Sequence, residues 1–174
     1  MMLIILFILM FIIIFGTMIR ASLIGAPWVP TFGKTVLEQI KLAGIKPGEI
    51  VYDLGCGDGR WLFTAARLTP GKKFIGYEIS VLPYLLAKVR QLFSSDRSRL
   101  EFRFKNYFQE DLSRADVVYC FGLPEVIGRL EPKLAAELKA GARLVSYVFR
   151  LPHKQPAEVF RFKARSQASY LYRY

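Results

Sequence analysis

The stretch Val51-Tyr52-Asp53-Leu54-Gly55-Cys56-Gly57-Asp58-Gly59-Arg60 decides the fold, because an apolar run enters a loop with glycine at every second position. The run Ile50–Leu54 predicts a strand, and Trp61–Leu68 behind the loop predicts a helix. Glycine lets the backbone take positive φ values and lets a ligand approach the main chain. A helix N-terminus adds amide donors and a partial positive charge. The stretch therefore predicts a nucleotide-type binding site at the carboxyl end of a sheet strand.

An acid at the end of the next apolar run supports this interpretation. The run Lys73–Tyr77 predicts a second strand, and Glu78 follows it directly. Right-handed crossover connections would place Glu78 on the same edge of the sheet as the glycine loop. The glycines at 55, 57 and 59 do not have the G-x-G-x-x-G spacing of a dinucleotide site. An ordinary turn with a surface glutamate is the alternative to a binding site here.

The rest of the chain alternates between helix-like and strand-like patterns. Helical patterns extend from Thr31, a predicted cap, to about Ala43, from Val81 to about Phe93, and from Pro124 to about Lys139. Further strands are predicted at 100–104, 115–121 and 143–149, and a terminal hairpin at 157–163 and 168–173. This order predicts an α/β fold: a Rossmann-like doubly wound sheet of about seven strands with an antiparallel C-terminal hairpin.

An apolar N-terminal segment precedes this domain. Residues Met1–Ile19 carry no charged side chain, and at ~1.5 Å per residue they span roughly 28 Å, close to the ~30 Å hydrocarbon core of a bilayer. We expect an uncleaved transmembrane anchor at 1–19, a proline-containing linker at 20–30 and a single domain at 31–174. A signal peptide is the alternative, but it would have a basic region before a shorter apolar core.

Positive charge dominates the remainder of the chain. The net charge is +11, and every basic and acidic residue lies at or after Arg20. By the positive-inside rule this distribution places the domain in the cytoplasm or the equivalent compartment. It also suggests an anionic partner, either lipid headgroups or nucleic acid, with a basic surface that serves only solubility as the alternative. The tail 150–174 interleaves basic and aromatic residues, and beside a membrane anchor we favour an anionic membrane surface over nucleic acid.

Cysteine and histidine are scarce. Cys56 and Cys120 form no spaced metal motif, and we expect both to be reduced thiols in a cytosol-facing domain. His153 is the single histidine, so the sequence gives no support to a histidine metal site and little to a Ser-His-Asp arrangement. We therefore predict no metal site.

Several short motifs occur in the order found in one enzyme family. The D-x-G-x-G-x-G loop followed by Glu78 resembles motif I and the acidic strand end of the class I (seven-β-strand) S-adenosylmethionine-dependent methyltransferases. The motifs W-V-P-T at 28–31, F-G-L-P-E at 121–125 and G-A-R-L-V-S at 141–146 are more specific. With the apolar N-terminal segment they resemble the membrane-anchored protein-lysine methyltransferases of the ADP/ATP carrier and the ATP synthase c-subunit, and their prokaryotic relatives. The resemblance covers roughly residues 26–152.

The resemblance implies a partner for each part of the cofactor S-adenosyl-L-methionine. Backbone amides of the glycine loop would face the methionyl carboxylate. Asp53 would accept from the methionyl ammonium, and Glu78 from both ribose hydroxyls. Asn106 stands where the family usually has an aspartate. The expected cofactor site consists of Asp53, Gly55, Cys56, Gly57, Gly59, Glu78, Asn106, Tyr107 and Phe121.

The F-G-L-P-E motif also bears on the methyl acceptor. Methyltransferases of planar amide or base nitrogens commonly carry (N/D)-P-P-(Y/F) here, because a delocalised lone pair must be held by acceptors as it reacts. A deprotonated lysine amine needs orientation, desolvation and in-line geometry. The resemblance implies a lysine of a membrane protein as acceptor, with Glu125 and Thr31 as candidate catalytic residues that orient the amine. For Glu125, a helix-start acid favoured by the helix dipole is the alternative.

Other functions are compatible with the same sequence. The catalytic apparatus would also serve a lipid headgroup amine or a quinone-like lipid, and the anchor fits that acceptor equally. An inactive adaptor that binds the cofactor is a non-enzymatic alternative, although the intact Asp53, glycine loop and Glu78 argue against it. The positive charge alone suggests a membrane-tethered RNA methyltransferase.

Overall fold

The computed structural model describes residues 1–24, 29–31, 33–162 and 167–174. Ala26, Pro27 and Trp28 of the predicted linker, and Lys163 of the predicted hairpin, lie outside the described residues. The strands are β1 (Ile50–Leu54), β2 (Lys73–Glu78), β3 (Leu100–Phe104), β4 (Val117–Cys120), β5 (Arg143–Tyr147), β6 (Glu158–Arg161) and β7 (Ala168–Arg173). The helices are α1 (Met2–Ile24), α2 (Lys34–Ala43), α3 (Arg60–Leu68), α4 (Val81–Leu92) and α5 (Pro124–Glu137), and a short 3₁₀ turn spans Tyr107–Gln109.

The strands form one seven-stranded sheet in the order β3-β2-β1-β4-β5-β7-β6. Strands β1 to β5 run parallel, and β7 pairs antiparallel with both β5 and β6. The predicted fold class, a doubly wound sheet with an antiparallel C-terminal hairpin, is confirmed. Because β1 lies between β2 and β4, the loops after these three strands meet at one edge of the sheet.

The two faces of the sheet are covered by different helices. On one face, α2, α3 and α4 bury side chains such as Ile40, Leu62 and Ala87 against the sheet. On the other face, Ile127 and Leu130 of α5 pack into a second apolar cluster. Burial on both faces explains why the central strands are almost continuously apolar, as parallel strands between helix layers usually are.

Two element boundaries differ from the sequence prediction. The predicted helix cap at Thr31 is wrong: α2 begins at Lys34 after Gly33, whose φ of 55° is a left-handed value that favours glycine, and no side chain among the described residues caps the helix. The apolar helix α1 continues beyond Ile19 to Ile24, because residues 20–24 contain neither glycine nor proline. The first part of the predicted linker is therefore helical.

Helix α1 contacts the domain through one side of its second half. Ile14, Thr17, Met18 and Ala21 are shielded on that side, at the spacing of one helix face. The Val81 amide at the start of α4 donates to Thr17 Oγ1 at 3.2 Å, and the same hydroxyl donates to the Ile14 carbonyl at 2.9 Å. The segment Met2–Ala21 is long and apolar enough to cross a membrane, by criteria that a signal sequence also meets.

Candidate functional site

A cavity opens at the edge of the sheet where β1, β2 and β4 end. Its wall brings together the glycine loop after β1, the acid that ends β2 and the segments after β3 and β4. The end of α1 also contributes through Ala21. The lining residues are Ala21, Val29, Pro30, Thr31, Asp53, Leu54, Gly55, Cys56, Gly57, Asp58, Arg60, Trp61, Tyr77, Glu78, Ile79, Ser80, Lys105, Tyr107, Tyr119, Phe121 and Gly122.

The glycine loop has the left-handed backbone that its sequence predicts. Gly55, Gly57 and Gly59 have φ values of 86°, 56° and 75°. At Gly59 a side chain would also lack space, because an added Cβ would lie 2.6 Å from the Phe102 ring. Gly59 is not in the cavity wall, so its role is to let the loop turn into α3 against β3.

Four loop amides are already hydrogen-bonded within the protein. Gly55 and Cys56 both donate to the Tyr77 carbonyl, at 3.0 and 2.9 Å. Gly57 donates to Glu78, and Gly59 donates to the Cys56 carbonyl at 2.9 Å. An amide hydrogen committed to such a bond does not serve a bound carboxylate equally well. The loop therefore shapes the cavity floor, and these four amides are already occupied when an anion arrives.

The Glu78 carboxylate is fixed by three backbone amides. Its Oε1 accepts from Ile79 at 2.9 Å and from Ser80 at 2.8 Å, and its Oε2 accepts from Gly57 at 2.8 Å. A carboxylate can accept about four hydrogen bonds, so these contacts orient the group and leave capacity for a ligand hydroxyl. Glu78 is buried yet lines the cavity, as expected for a residue that accepts from a bound ligand.

Asp53 is the most enclosed acid of the site. It lies in β1 directly before the glycine loop and is only 2% exposed. Burial, and then the neighbouring carboxylates of Glu78 and Asp58, raise the pKa of Asp53 well above its ordinary value. A cation bound in the cavity would stabilise the ionised form of Asp53 and so offset both its loss of hydration and the repulsion by the neighbouring carboxylates. The site is therefore electrostatically suited to a positively charged ligand.

Arg60 places a cation in the same wall. Its Nε and Nη2 lie 2.9 and 2.7 Å from the two carboxylate oxygens of Asp58, a bidentate pair. Arg90 of α4 adds a second contact to Asp58 at 2.8 Å. Burial opposes ionisation of Asp58, but the Arg60 hydrogen bonds and the charges of both arginines outweigh it and lower the pKa of that carboxyl. Asp58 thus holds the Arg60 guanidinium in place.

An aromatic wall faces the acids. The rings of Trp61 in α3 and Tyr119 in β4 are stacked with centroids 4.5 Å apart and an interplanar angle of 8°. Burial, and then the charge of Asp53, raise the pKa of Tyr119 well above its ordinary value, so its hydroxyl stays neutral. The buried Trp61 Nε1 has no hydrogen-bond partner among the described residues. The sequence analysis missed both rings because they occupy ordinary apolar positions of a helix and a strand.

The structure brings most of the predicted site residues into this wall. Among them, Gly59, Asn106 and Glu125 are not lining residues. The Asn106 side chain accepts from the Phe108 amide at 3.0 Å and caps the 3₁₀ turn that carries Tyr107. Glu125 is exposed in the first turn of α5, where the helix dipole favours an acid. Arg60, Trp61, Lys105 and Tyr119 line the cavity without having been predicted.

Comparison with known proteins gives a consistent result. The family model described as "ANTKMT methyltransferase domain" matches residues 53–158. A protein-lysine N-methyltransferase of Saccharolobus islandicus (strain REY15A) is 37% identical over 150 residues, which cover 85% of this chain and 92% of that protein. The lysine N-methyltransferase of the ATP synthase c-subunit from Xenopus laevis is 30% identical over 134 residues, which cover 77% of this chain but 58% of that protein.

A solved structure has the same fold. The crystal structure of an RNA methyltransferase from Salinibacter ruber, in complex with S-adenosyl-L-homocysteine, superposes with a TM-score of 0.79 and is 30% identical. The similarity covers 83% of this chain and 93% of that chain.

Proposed function

The chain belongs to the family of ANTKMT methyltransferase domains and is an S-adenosylmethionine-dependent methyltransferase, and we propose that its acceptor is a lysine side chain of a membrane protein. The observation that carries the lysine assignment is the 37% identity to a protein-lysine N-methyltransferase along 85% of the chain. The ATP synthase c-subunit, named as the target of the Xenopus relative, is a membrane protein, and this supports a membrane-embedded acceptor.

The charges of the cavity wall fit this cofactor, which supplies a methyl group on a sulfonium centre when it is bound. Asp53, Asp58 and Glu78 surround the space in which two cationic centres, the sulfonium and the ammonium, need partners. We assign the ammonium to Asp53, because a cation there offsets the burial and the repulsion that raise its pKa. We assign the ribose hydroxyls to Glu78, whose oxygens are already oriented by backbone amides.

The methionyl carboxylate needs a partner other than the amides of Gly55, Cys56 and Gly57. Gly55, Cys56 and Gly57 have their amides paired within the protein. Arg60 is a lining cation held by Asp58, and its positive charge favours an anion at this part of the wall. We therefore assign the methionyl carboxylate to Arg60. The three loop residues contribute the shape of the floor that lets the ligand approach.

The aromatic and apolar residues of the wall fit the rest of the cofactor. Tyr107 lies after β3 and Phe121 lies after β4. We propose that these two rings provide an apolar slot for the adenine and for the methyl-bearing sulfonium end of the cofactor. Asn106 acts indirectly, because its side chain caps the turn that positions Tyr107. Gly59 likewise acts through the loop, because only a residue without Cβ fits against Phe102.

The acceptor amine is assigned to the part of the wall formed by Thr31, Trp61 and Tyr119. Thr31, Trp61 and Tyr119 line the cavity beside the segment that ends β4. A lysine side chain that packs against these aromatic rings loses hydration. This loss lowers the pKa of its ammonium and favours the neutral, nucleophilic amine. Of the two predicted orienting residues, Thr31 lines the cavity and Glu125 is exposed outside it, so we assign the orienting role to Thr31.

Helix α1 is proposed to anchor the enzyme in the bilayer. The anchor at 1–19, linker at 20–30 and domain at 31–174 remain our division of the chain, although the helix itself extends to Ile24. Arg20 at the end of the apolar run favours a domain on the cytoplasmic side or in the equivalent compartment, near an anionic membrane surface. Because Ala21 lies in the cavity wall, the end of the anchor is adjacent to the methyl-transfer site.

RNA is the second candidate acceptor. The observation in its favour is the 30% identity to a Salinibacter ruber protein named as an RNA methyltransferase, together with the net charge of +11. We place it second because the protein-lysine relative is more similar, and because the motif after β4 lacks the N/D-P-P pattern that suits planar nitrogens.

One experiment separates these acceptors. Purified full-length enzyme and S-adenosylmethionine with a labelled methyl group are incubated with membranes and total RNA from cells that lack the enzyme. Protein, lipid and RNA fractions are then counted, and Glu78→Ala enzyme serves as the inactive control. We expect label in a membrane protein, on lysine by mass spectrometry. Label confined to RNA or lipid would overturn the lysine proposal and leave the methyltransferase assignment intact.

A further inference from the structure

Helix α4 carries an apolar stripe that the domain does not cover. The exposed positions recur every three to four residues, so at about 100° per residue they fall within an arc of about 120°. Val89 is 53% exposed and Leu92 67% exposed, and Phe93 directly behind the helix is 86% exposed. The exposed apolar positions are Leu82, Leu85, Leu86, Val89, Leu92 and Phe93. The opposite side, with Pro83 and Ala87, is buried against the sheet.

The charges of α4 are arranged around this stripe. Its sequence contains Lys88 and Arg90 and no acid. Lys88 bonds Gln91 and Arg90 bonds Asp58, so both cations lie beside the stripe rather than within it. An apolar face flanked by basic residues is the pattern of helices that lie in the interface of an anionic bilayer.

The contact with α1 sets the depth of this helix. Val81, the first residue of α4, is hydrogen-bonded to Thr17 inside the apolar run of α1. Thr17 precedes Arg20 by three residues, which is about 5 Å along a helix axis. If Arg20 lies at the headgroups, Val81 lies about 5 Å deeper, within the ~5–10 Å over which interfacial helices bury their apolar face.

We propose that α4 is an interfacial helix that rests its apolar stripe on the bilayer in which α1 is anchored. The inference rests on the proposed membrane anchor and adds a second contact to it. A single helix leaves the domain free to rotate about the anchor axis. A second contact fixes that rotation and gives the cavity, which Ala21 and Ser80 both line, a constant orientation to the membrane surface.

Lipid is the occupant that we propose for the stripe, because α4 begins in contact with the apolar run of α1, where Val81 bonds Thr17. The C-terminal hairpin, which the sequence analysis placed against an anionic membrane surface, is at the far edge of the sheet. Strand β6 is the last strand at that edge, whereas α4 packs on β2 and β3 at the other. A protein partner for the stripe is therefore an outcome of the test and not the proposal.

Matched cysteine variants test the contact. Val89→Cys on the stripe and Val159→Cys on β6 both replace a partly exposed valine, and Phe7→Cys reports on the anchor. The native Cys56 and Cys120 are buried, so an environment-sensitive NBD label goes to the introduced thiol. Full-length protein is reconstituted in phosphatidylcholine–phosphatidylglycerol liposomes that contain doxyl-labelled lipids. We expect blue-shifted emission and severalfold stronger quenching at position 89 than at position 159.

The outcomes separate this inference from the proposed anchor. Quenching at position 7 without quenching at position 89 would overturn the interfacial helix and leave the anchor standing. No quenching at position 7 would overturn the anchor itself, and the interfacial helix with it. A shift at position 89 that appears only after the acceptor protein is added would assign the stripe to that protein and overturn the lipid contact. As a second readout, Val89→Glu should lower methylation of membrane-embedded acceptor severalfold, whereas Val159→Glu should not.

Discussion

The Gly57 amide nitrogen lies 2.8 Å from Oε2 of Glu78, so the loop after β1 is hydrogen-bonded to the carboxylate that ends β2. This bond joins two motifs that are 21 residues apart in the sequence. It fixes the Glu78 carboxylate in the cavity before any ligand binds. The entropy lost in ordering this side chain is therefore lost on folding and not on ligand binding.

Glu78→Ala should abolish tight cofactor binding. The variant loses an acceptor for the ribose hydroxyls and leaves three backbone amides without their carboxylate. Two charge-assisted hydrogen bonds of about 1.5–3 kcal/mol each correspond to a rise in Kd of about a hundredfold or more. Titration calorimetry with S-adenosylhomocysteine measures the Kd of each variant. Glu101→Ala removes an acid that bonds Arg103 on β3 and should leave the affinity unchanged. Equal affinities for both variants would contradict the ribose assignment.

Asp53→Asn should change how stability depends on pH in the absence of cofactor. The pKa of Asp53 is raised in the folded state by burial and by Glu78 and Asp58. A raised carboxyl pKa means that the folded state binds the proton more tightly than the unfolded state. The contribution of Asp53 to stability is therefore full below about pH 4 and is lost as pH rises through the folded pKa. Relative to wild type, the asparagine variant should become more stable as pH increases.

Denaturant unfolding of both proteins across the pH range checks this difference. The same variant should bind S-adenosylmethionine more weakly at neutral pH, because it lacks the charge that pairs with the ammonium. A wild-type-minus-variant stability difference that does not change with pH would contradict the burial of an ionising Asp53.

Methylation should accelerate as pH rises. Only the neutral lysine amine attacks, and a free lysine has a pKa of about 10.4, lowered where the aromatic wall removes hydration. With saturating cofactor, kcat/KM should rise about tenfold per pH unit until pH reaches the pKa of the free lysine, whereas kcat should level off at the lower pKa of the lysine in the complex. A plot of log kcat/KM against pH, with wild-type enzyme and a soluble lysine peptide, measures the slope. A flat profile between pH 6 and 8 would show that proton loss does not limit the reaction.

A long flexible insertion between Ile24 and Val29 should separate the cavity from the membrane when Thr17→Val and Val89→Glu also weaken the contacts of the domain with α1 and with the bilayer. About 30 Gly/Ser residues add a span of roughly 30 Å. Methylation of a membrane-embedded acceptor should fall tenfold or more, because the effective concentration of the site drops, while a soluble peptide is spared. Kinetics on both substrates test this. An equal loss on both would instead indicate damage to the cavity, whose wall includes Ala21.

Arg143→Met should destabilise the domain without acting on the cofactor site. The buried guanidinium donates to the Ala43 carbonyl at 2.9 Å, to the Gly44 carbonyl at 3.2 Å and to Glu49 Oε2 at 2.6 Å. Removing one partner of a buried ion pair costs about 3–5 kcal/mol, because the other charge is left without compensation. Chemical denaturation followed by circular dichroism measures the loss. Arg161→Met on the exposed edge strand β6 should lower the free energy of unfolding by less than about 1 kcal/mol, because substitutions at exposed positions usually change stability little.

Sequence alone determined the fold class and the position of the glycine loop. The sequence patterns predicted β1, β3 and β7 with the bounds observed. A buried parallel strand such as β1 reads as a short apolar run, whereas the antiparallel β7 alternates apolar and polar residues. The glycine loop was identified because left-handed backbone favours glycine, and Asp53 and Glu78 because each is an acid in or directly after an apolar strand pattern. Those constraints act within a few residues of the chain, so they are visible in the sequence.

Only the tertiary structure decided which groups face the ligand. The loop amides were expected to be donors, yet the parallel register of β1 and β2 directs Gly55 and Cys56 to the Tyr77 carbonyl. The Trp61–Tyr119 wall and the contact between Thr17 and Val81 join residues 58 and 64 positions apart. Such pairings depend on how strands and helices pack, and no local pattern encodes them. The sequence thus determined the elements and the chemistry available at their ends, whereas long-range packing decided how that chemistry is assembled.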